Sequence, residues 1–237
     1  MVKPRDNKRS RSVAARVAGI GRALEKRYGV PGARSKESPL DVLIRTILSQ
    51  NTNDTNRDRA FDMLVRKYPV WEPVAEARAR DIERVIEAAG LYRQKSRAIK
   101  ALLRHLIAKS GRIDRRFLCR MESHEAIDEL TALKGIGIKT VSVALMFGCG
   151  RDDVFPVDTH VLRVSKRLEL IPEKTSAEKA HLLLGDVVPP GKGASLHLNM
   201  IRLGREICRA RKPMCGECFL ARRCSWPRRN PTLVYGA

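Results

Sequence analysis

The chain has 237 residues, 43% of them hydrophobic and 31% charged, with a formal net charge of +21. That composition excludes a wholly disordered chain, and the length leaves room for one large domain or two small ones around a real core. No apolar run approaches the ~20 residues of a membrane span and no secretory pattern opens the sequence, so the expectation is a non-membrane, non-exported protein with a polyanionic partner: nucleic acid first, an anionic membrane surface second.

The positive charge is concentrated at the two ends. Residues 1–36 hold 11 Lys/Arg against 2 Asp/Glu, and residues 202–237 hold 9 against 2. Residues 1–16 are rich in Arg, Lys and Ser and read as a disordered basic arm. The alternative for an Arg/Ser-rich, acid-poor start is an organelle transit peptide. Ser38-Pro39 then offers an N-cap followed by a first-turn proline. Leu40, Leu43, Ile44, Ile47 and Leu48 follow at the spacing of one helix face. Phe61, Leu64, Val65 and Tyr68 predict a second such face, and Ile82, Val85, Ile86 and Ala89 a third that Gly90 ends. Ile99, Leu102, Leu103, Leu106 and Ile107 predict a fourth, with Gly111 just past its end. Thr175 and Glu178 stand at capping-box spacing, and Leu196, Met200, Leu203 and Ile207 form the last stripe. No alternating strand pattern and no fixed-period repeat is present, so the predicted fold class is all-α.

Two stretches carry chemistry. In "LKGIGIKT", Leu133 to Thr140, Gly135 and Gly137 separate a helix ending near Leu133 from one starting near Lys139. Val141, Ala144 and Leu145 are its inward face. Such a hairpin exposes amide N–H groups at a helix start, which suit a phosphate oxygen, although G-x-G alone equally describes a plain tight turn. In "VFPVDTHVLRVSKR", Val154 to Arg167, Asp158 is placed to cap a helix; its apolar approach also marks it as a partly buried acid, which needs a partner or a task. Asp54 reads as a helix cap.

Six cysteines are present. Cys119 and Cys149 stand apart in apolar surroundings and read as separate buried thiols. Cys208, Cys215, Cys218 and Cys224 follow a C-x6-C-x2-C-x5-C spacing. Four thiolates so close together repel one another unless a cation holds them, and zinc or an iron–sulfur cluster are the candidates.

Taken in this order, the motifs resemble the endonuclease III branch of the helix–hairpin–helix DNA glycosylases, over about residues 30–226. "ILSQNTND" from Ile47, "GLYRQKSRAI" from Gly90, "LKGIGIKT", "VDTHVLRVSKRL" and the cysteine spacing carry the resemblance. It implies a six-helix domain at residues 32–152 and a second helical domain made of residues 17–31 and 153–226, with a C-terminal tail at 227–237 and DNA lying across a cleft between the domains. It implies that the four cysteines hold a [4Fe–4S] cluster rather than zinc. A lysine at the position of Lys139 implies a bifunctional glycosylase and abasic-site lyase, with Lys139 and Asp158 as catalytic residues facing each other over the cleft. Gly135 and Gly137 would bind the DNA backbone and Leu91 would be the apolar wedge. Asn51 stands where the family has a gap-filling glutamine, a departure that leaves neighbouring Gln50 as the alternative. The implied activity is base-excision repair of oxidised pyrimidines in double-stranded DNA, by a monomer in the cytoplasm at the nucleoid. The competing readings are a mismatch-type glycosylase and a non-enzymatic DNA-binding module.

Overall fold

A computed structural model of the chain describes residues 7–32 and 35–231, and every regular element in them is helical, as the periodicity predicts. None of these helices is long and apolar enough to cross a membrane. The chain divides into two compact units, Met1–Ala33 with Asp152–Ala237, and Arg34–Arg151.

The Arg34–Arg151 unit is built around α2 (Pro39–Leu48), in which every residue but Arg45 is buried. Ser38 caps it by accepting from the Asp41 amide. Leu40, Leu43, Ile44, Ile47 and Leu48 are all at 0% exposure, each contributing about 1.5–3 kcal/mol of burial. Around α2 pack α3 (Asp54–Lys67), α6 (Tyr92–Ser110) and α8 (Ile138–Val143). The short α4 (Glu72–Glu76) and α5 (Ala79–Val85) lie on α6, and α7 (Ser123–Thr131) lies on α8. Buried Asp41 is matched by the indole Nε1 of Trp71 at 2.9 Å and by the Arg115 guanidinium. Beyond α8 the helix loosens into a π-helical turn, Ala144–Cys149, that lies against α2. A Cβ on Gly148 would stand 2.8 Å from the Pro39 Cα, so only glycine lets the two backbones meet there.

The other unit joins α1 (Asn7–Tyr28) to α9 (Thr159–Arg167), α10 (Ala177–Gly185), α11 (Gly193–Glu206) and α12 (Trp226–Arg229). Val17, Ile20 and Leu24 of α1 pack with Leu196, Met200 and Leu203 of α11, which also lies against Val161 and Val164 of α9.

Four local expectations are corrected. Residues 7–16 of the expected disordered arm are the first turns of α1, and the Arg16 guanidinium donates to the Leu168 carbonyl at 2.6 Å; residues 1–6 lie outside the described residues. The cap of α10 is Ser176, which accepts from the Lys179 amide, while Thr175 is buried one residue earlier. The cap of α3 is Asn53, and Asp54 instead pairs with Arg57 at 2.8 Å. Cys119 and Cys149 form a disulfide, with Cα atoms 5.2 Å apart, because the 3₁₀ turn Phe117–Arg120 packs against the π-helical turn.

Candidate active site

The hairpin of the Arg34–Arg151 unit runs from the end of α7 to the start of α8. Its two glycines serve different ends. Gly135 has φ +94°, and a Cβ there would lie 3.0 Å from the Cβ of Ala98. The turn therefore demands glycine. Gly137 caps α8 in extended backbone at φ −105°, and a Cβ there would meet nothing within 4 Å. The fold does not require glycine at that position; its missing side chain leaves open ground beside the helix start. Ile136, between them, is buried and anchors the turn. Lys139 is half-buried in the first turn of α8.

Two further loops of this unit carry sequence-predicted residues. Gln50 donates its amide to the Gly135 carbonyl at 3.0 Å, which ties the segment after α2 to the hairpin. Asn51 and Leu91 are two of the four non-glycine residues with positive φ among the described residues, at +50° and +46°. Asparagine tolerates that region; leucine does not without strain. Leu91 is also 45% exposed, so packing within the unit does not account for it.

Beneath both loops lies a residue that sequence reasoning missed. Lys95 is 1% exposed, and its ammonium donates to the carbonyls of Leu48 at 2.8 Å and Ala89 at 2.7 Å. Burial pushes its pKa down to about 8. A signal did exist: Lys95 stands four residues before Ile99, on the apolar stripe of α6.

In the other unit Asp158 is half-buried and caps α9, its Oδ1 accepting from the Val161 amide at 2.7 Å. The segment leading to it, Val154 to Val157, is buried and braced by two histidines absent from the sequence reading. Nδ1 of His181 lies 3.0 Å from the Phe155 carbonyl and Nδ1 of His197 lies 2.9 Å from that of Pro156. A carbonyl only accepts, so both rings carry their proton on Nδ1.

Helix α9 also grips the cysteine segment. Arg163 Nε donates to the Cys208 carbonyl at 3.0 Å. Arg167, 7% exposed, donates to the carbonyls of Cys208, Arg209 and Ala210 and lies 3.3 Å from Cys208 Sγ. Cys208, Cys215, Cys218 and Cys224 line one cavity with apolar walls that include Val164, Leu203 and Trp226. Burial raises the thiols of Cys215 and Cys224 and pushes Cys218 up to about 11, and neighbouring thiolates add to each shift. Among the described residues no group of three or more His, Cys, Asp or Glu is placed to hold a single metal ion.

The family model of the HhH-GPD superfamily base excision DNA repair protein matches residues 44–190. Endonuclease III of Thermotoga maritima is 33% identical over 89% of this chain and 93% of its own length. Endonuclease III of Escherichia coli is 32% identical over 80% of this chain and 84% of its own. Among solved structures, a trapped covalent intermediate of endonuclease III with DNA, an estranged-adenine complex, matches at 26% identity with a TM-score of 0.76, covering 92% of this chain and 98% of that one. A thermostable thymine-DNA glycosylase, 22% identical with a TM-score of 0.70, shares the fold.

Proposed function

The chain belongs to the HhH-GPD superfamily of base excision DNA repair proteins and, within it, to the endonuclease III family of DNA glycosylases and abasic-site lyases; on that premise we propose that Lys139 and Asp158 carry its chemistry and that oxidised pyrimidines in double-stranded DNA are its substrates. The observation that carries this reading is the placement of Lys139. It is a half-buried amine in the first turn of α8, two residues after a glycine whose open side leaves room for a sugar-phosphate backbone.

In this reading the target nucleotide leaves the stack and the neutral Lys139 amine attacks the deoxyribose C1′. The C1′–N bond to the base breaks, and the base departs with a proton. The C1′–O4′ bond then opens, O4′ taking up a proton, to give the iminium; this acidifies the C2′ hydrogen, whose loss expels the 3′ phosphate oxygen by β-elimination, and water then releases Lys139. The Asp158 carboxylate stabilises the positive charge that develops on the sugar and assists proton transfer. Leu91 fills the gap in the stack, and Asn51 or Gln50 meets the opposite strand.

The four cysteines are read as ligands of a [4Fe–4S] cluster. An apolar cavity lined by four cysteines, with the Arg167 cation beside one of them to offset thiolate charge, suits such a cluster. When bound, the cluster supplies iron–thiolate bonds that pin residues 208–224. In this reading the Arg34–Arg151 unit is the helix–hairpin–helix domain and the other unit the cluster domain.

The test is Lys139→Gln, which keeps polarity and nearly keeps length while removing the amine. Wild-type protein should be trapped on abasic-site duplex by borohydride; the variant should fold, bind the same duplex and give no adduct. An adduct at normal yield would reassign the nucleophile. A wild-type protein that binds but neither cleaves nor traps would make the chain a DNA-binding module.

A further inference from the structure

We infer that Lys95 is the positioning residue that sets the Leu91 wedge and the Gln50–Asn51 loop in register with one another, so that both enter the duplex as one rigid edge. The inference rests on the glycosylase reading above. Lys95 itself touches neither DNA nor the reacting atoms.

The last carbonyls of a helix lack intrahelical partners. In α2 the carbonyls of Arg45, Thr46 and Ile47 are taken by the amides of Ser49 and Gln50, which leaves Leu48 to the Lys95 ammonium. In the 3₁₀ turn Glu87–Ala89 the Glu87 carbonyl is taken by the Gly90 amide, which leaves Ala89 to the same ammonium. One cation thus caps two helical ends, each of which presents the negative pole of its dipole.

The chain leaves both ends at once for strained ground. Asn51 follows Leu48 by three residues and Leu91 follows Ala89 by two, and both have left-handed backbone. Gly90 between Ala89 and Leu91 is itself at φ 64°. A leucine held at positive φ persists only where its surroundings over-determine it. The ammonium is the group common to both segments, and Gln50 extends the same frame to the hairpin through the Gly135 carbonyl. A methionine would fill the same apolar space on α6 without the cost of burying a charge, but it would leave the Leu48 and Ala89 carbonyls without this shared donor.

The test is Lys95→Met in the full chain, with Lys95→Gln as the second variant because its amide keeps donors. Folding is read by circular dichroism and urea melts. Function is read by affinity for a lesion duplex, by affinity for undamaged duplex, and by 2-aminopurine fluorescence opposite the lesion. A folded variant should lose the fluorescence gain and bind the lesion duplex about ten-fold more weakly or worse, as the loss of charge-assisted hydrogen bonds suggests, with undamaged duplex changed less than about two-fold. In an Asn51→Ala, Leu91→Ala background the same change should have almost no further effect, because its targets are gone. Equal losses in both backgrounds, a folded variant with normal fluorescence and lesion affinity, or failure of both variants to fold would each overturn the inference. Separately, if wild-type protein fails to cleave abasic duplex, or Leu91→Ala alone leaves the fluorescence unchanged, the fault lies with the functional reading and not with Lys95.

Discussion

Asp158 holds two positions at once, as the cap of α9 and as the proposed charge stabiliser, and two substitutions separate them. Asp158→Ala removes the Oδ1 that accepts from the Val161 amide at 2.7 Å. Loss of an N-cap of this kind costs about 1 kcal/mol, and the nine-residue α9 also carries Arg163 and Arg167, so loosening its first turn should reach the cysteine segment. Asp158→Asn keeps an oxygen that caps about as well and removes only the charge, so its stability cost should stay near the 0.3–1 kcal/mol of a charge at the helix N-terminus, about 0.5 kcal/mol here. If the carboxylate stabilises the developing cation, both variants should slow base excision by about 10²-fold or more. Urea melts measure the first quantity, and single-turnover excision on a thymine glycol duplex the second. Borohydride trapping on a pre-formed abasic site is the control: that substrate skips excision, so Asp158→Asn should retain part of it. Wild-type excision by Asp158→Asn would refute the electrostatic role and leave Asp158 a cap.

Arg167→Leu removes the donors to the carbonyls of Cys208, Arg209 and Ala210 and the cation beside Cys208, so it should lower stability by about 1–3 kcal/mol and reduce bound iron; unchanged melts and iron content would show that the cysteine segment holds itself. The hairpin glycines should respond oppositely. Gly135→Ala, at φ +94° and against Ala98, should destabilise by about 1–3 kcal/mol, whereas Gly137→Ala should melt normally and weaken DNA affinity; normal affinity of folded Gly137→Ala would make that open ground idle. Replacing Cys119 with Ser opens a loop of sequence separation 30 and should cost about 3–4 kcal/mol under oxidising conditions, with no difference from wild type in reductant; urea melts in both conditions decide it.

Much of this protein was legible along the chain because the relevant physics is local. A helix face repeats within four residues, so α2 and α6 could be read from their leucines and isoleucines, and Gly111 at φ 73° ends α6 as a C′ glycine should. Ser38 and Asp158 cap the helices that follow them for the same reason: their acceptors reach only three residues ahead. The cysteine spacing and the G-x-G turn were equally visible, since each is a short segment whose residue types already constrain its chemistry. Where two neighbouring residues can both cap, locality stops deciding. Ser176 prevails over Thr175, and Asn53 over Asp54, because tertiary packing sets where the helix starts. Tertiary structure alone decided what joins distant segments. The Cys119–Cys149 bond spans 30 residues, the His197 brace behind Asp158 spans 41, the Gln50 contact to the hairpin spans 85, and Lys95 reaches a carbonyl 47 residues away. Each of these partners is a backbone carbonyl or a thiol that many residues could offer. Composition and periodicity carry no record of which one is chosen, because the choice is made by the burial that brings two helix ends under one ammonium.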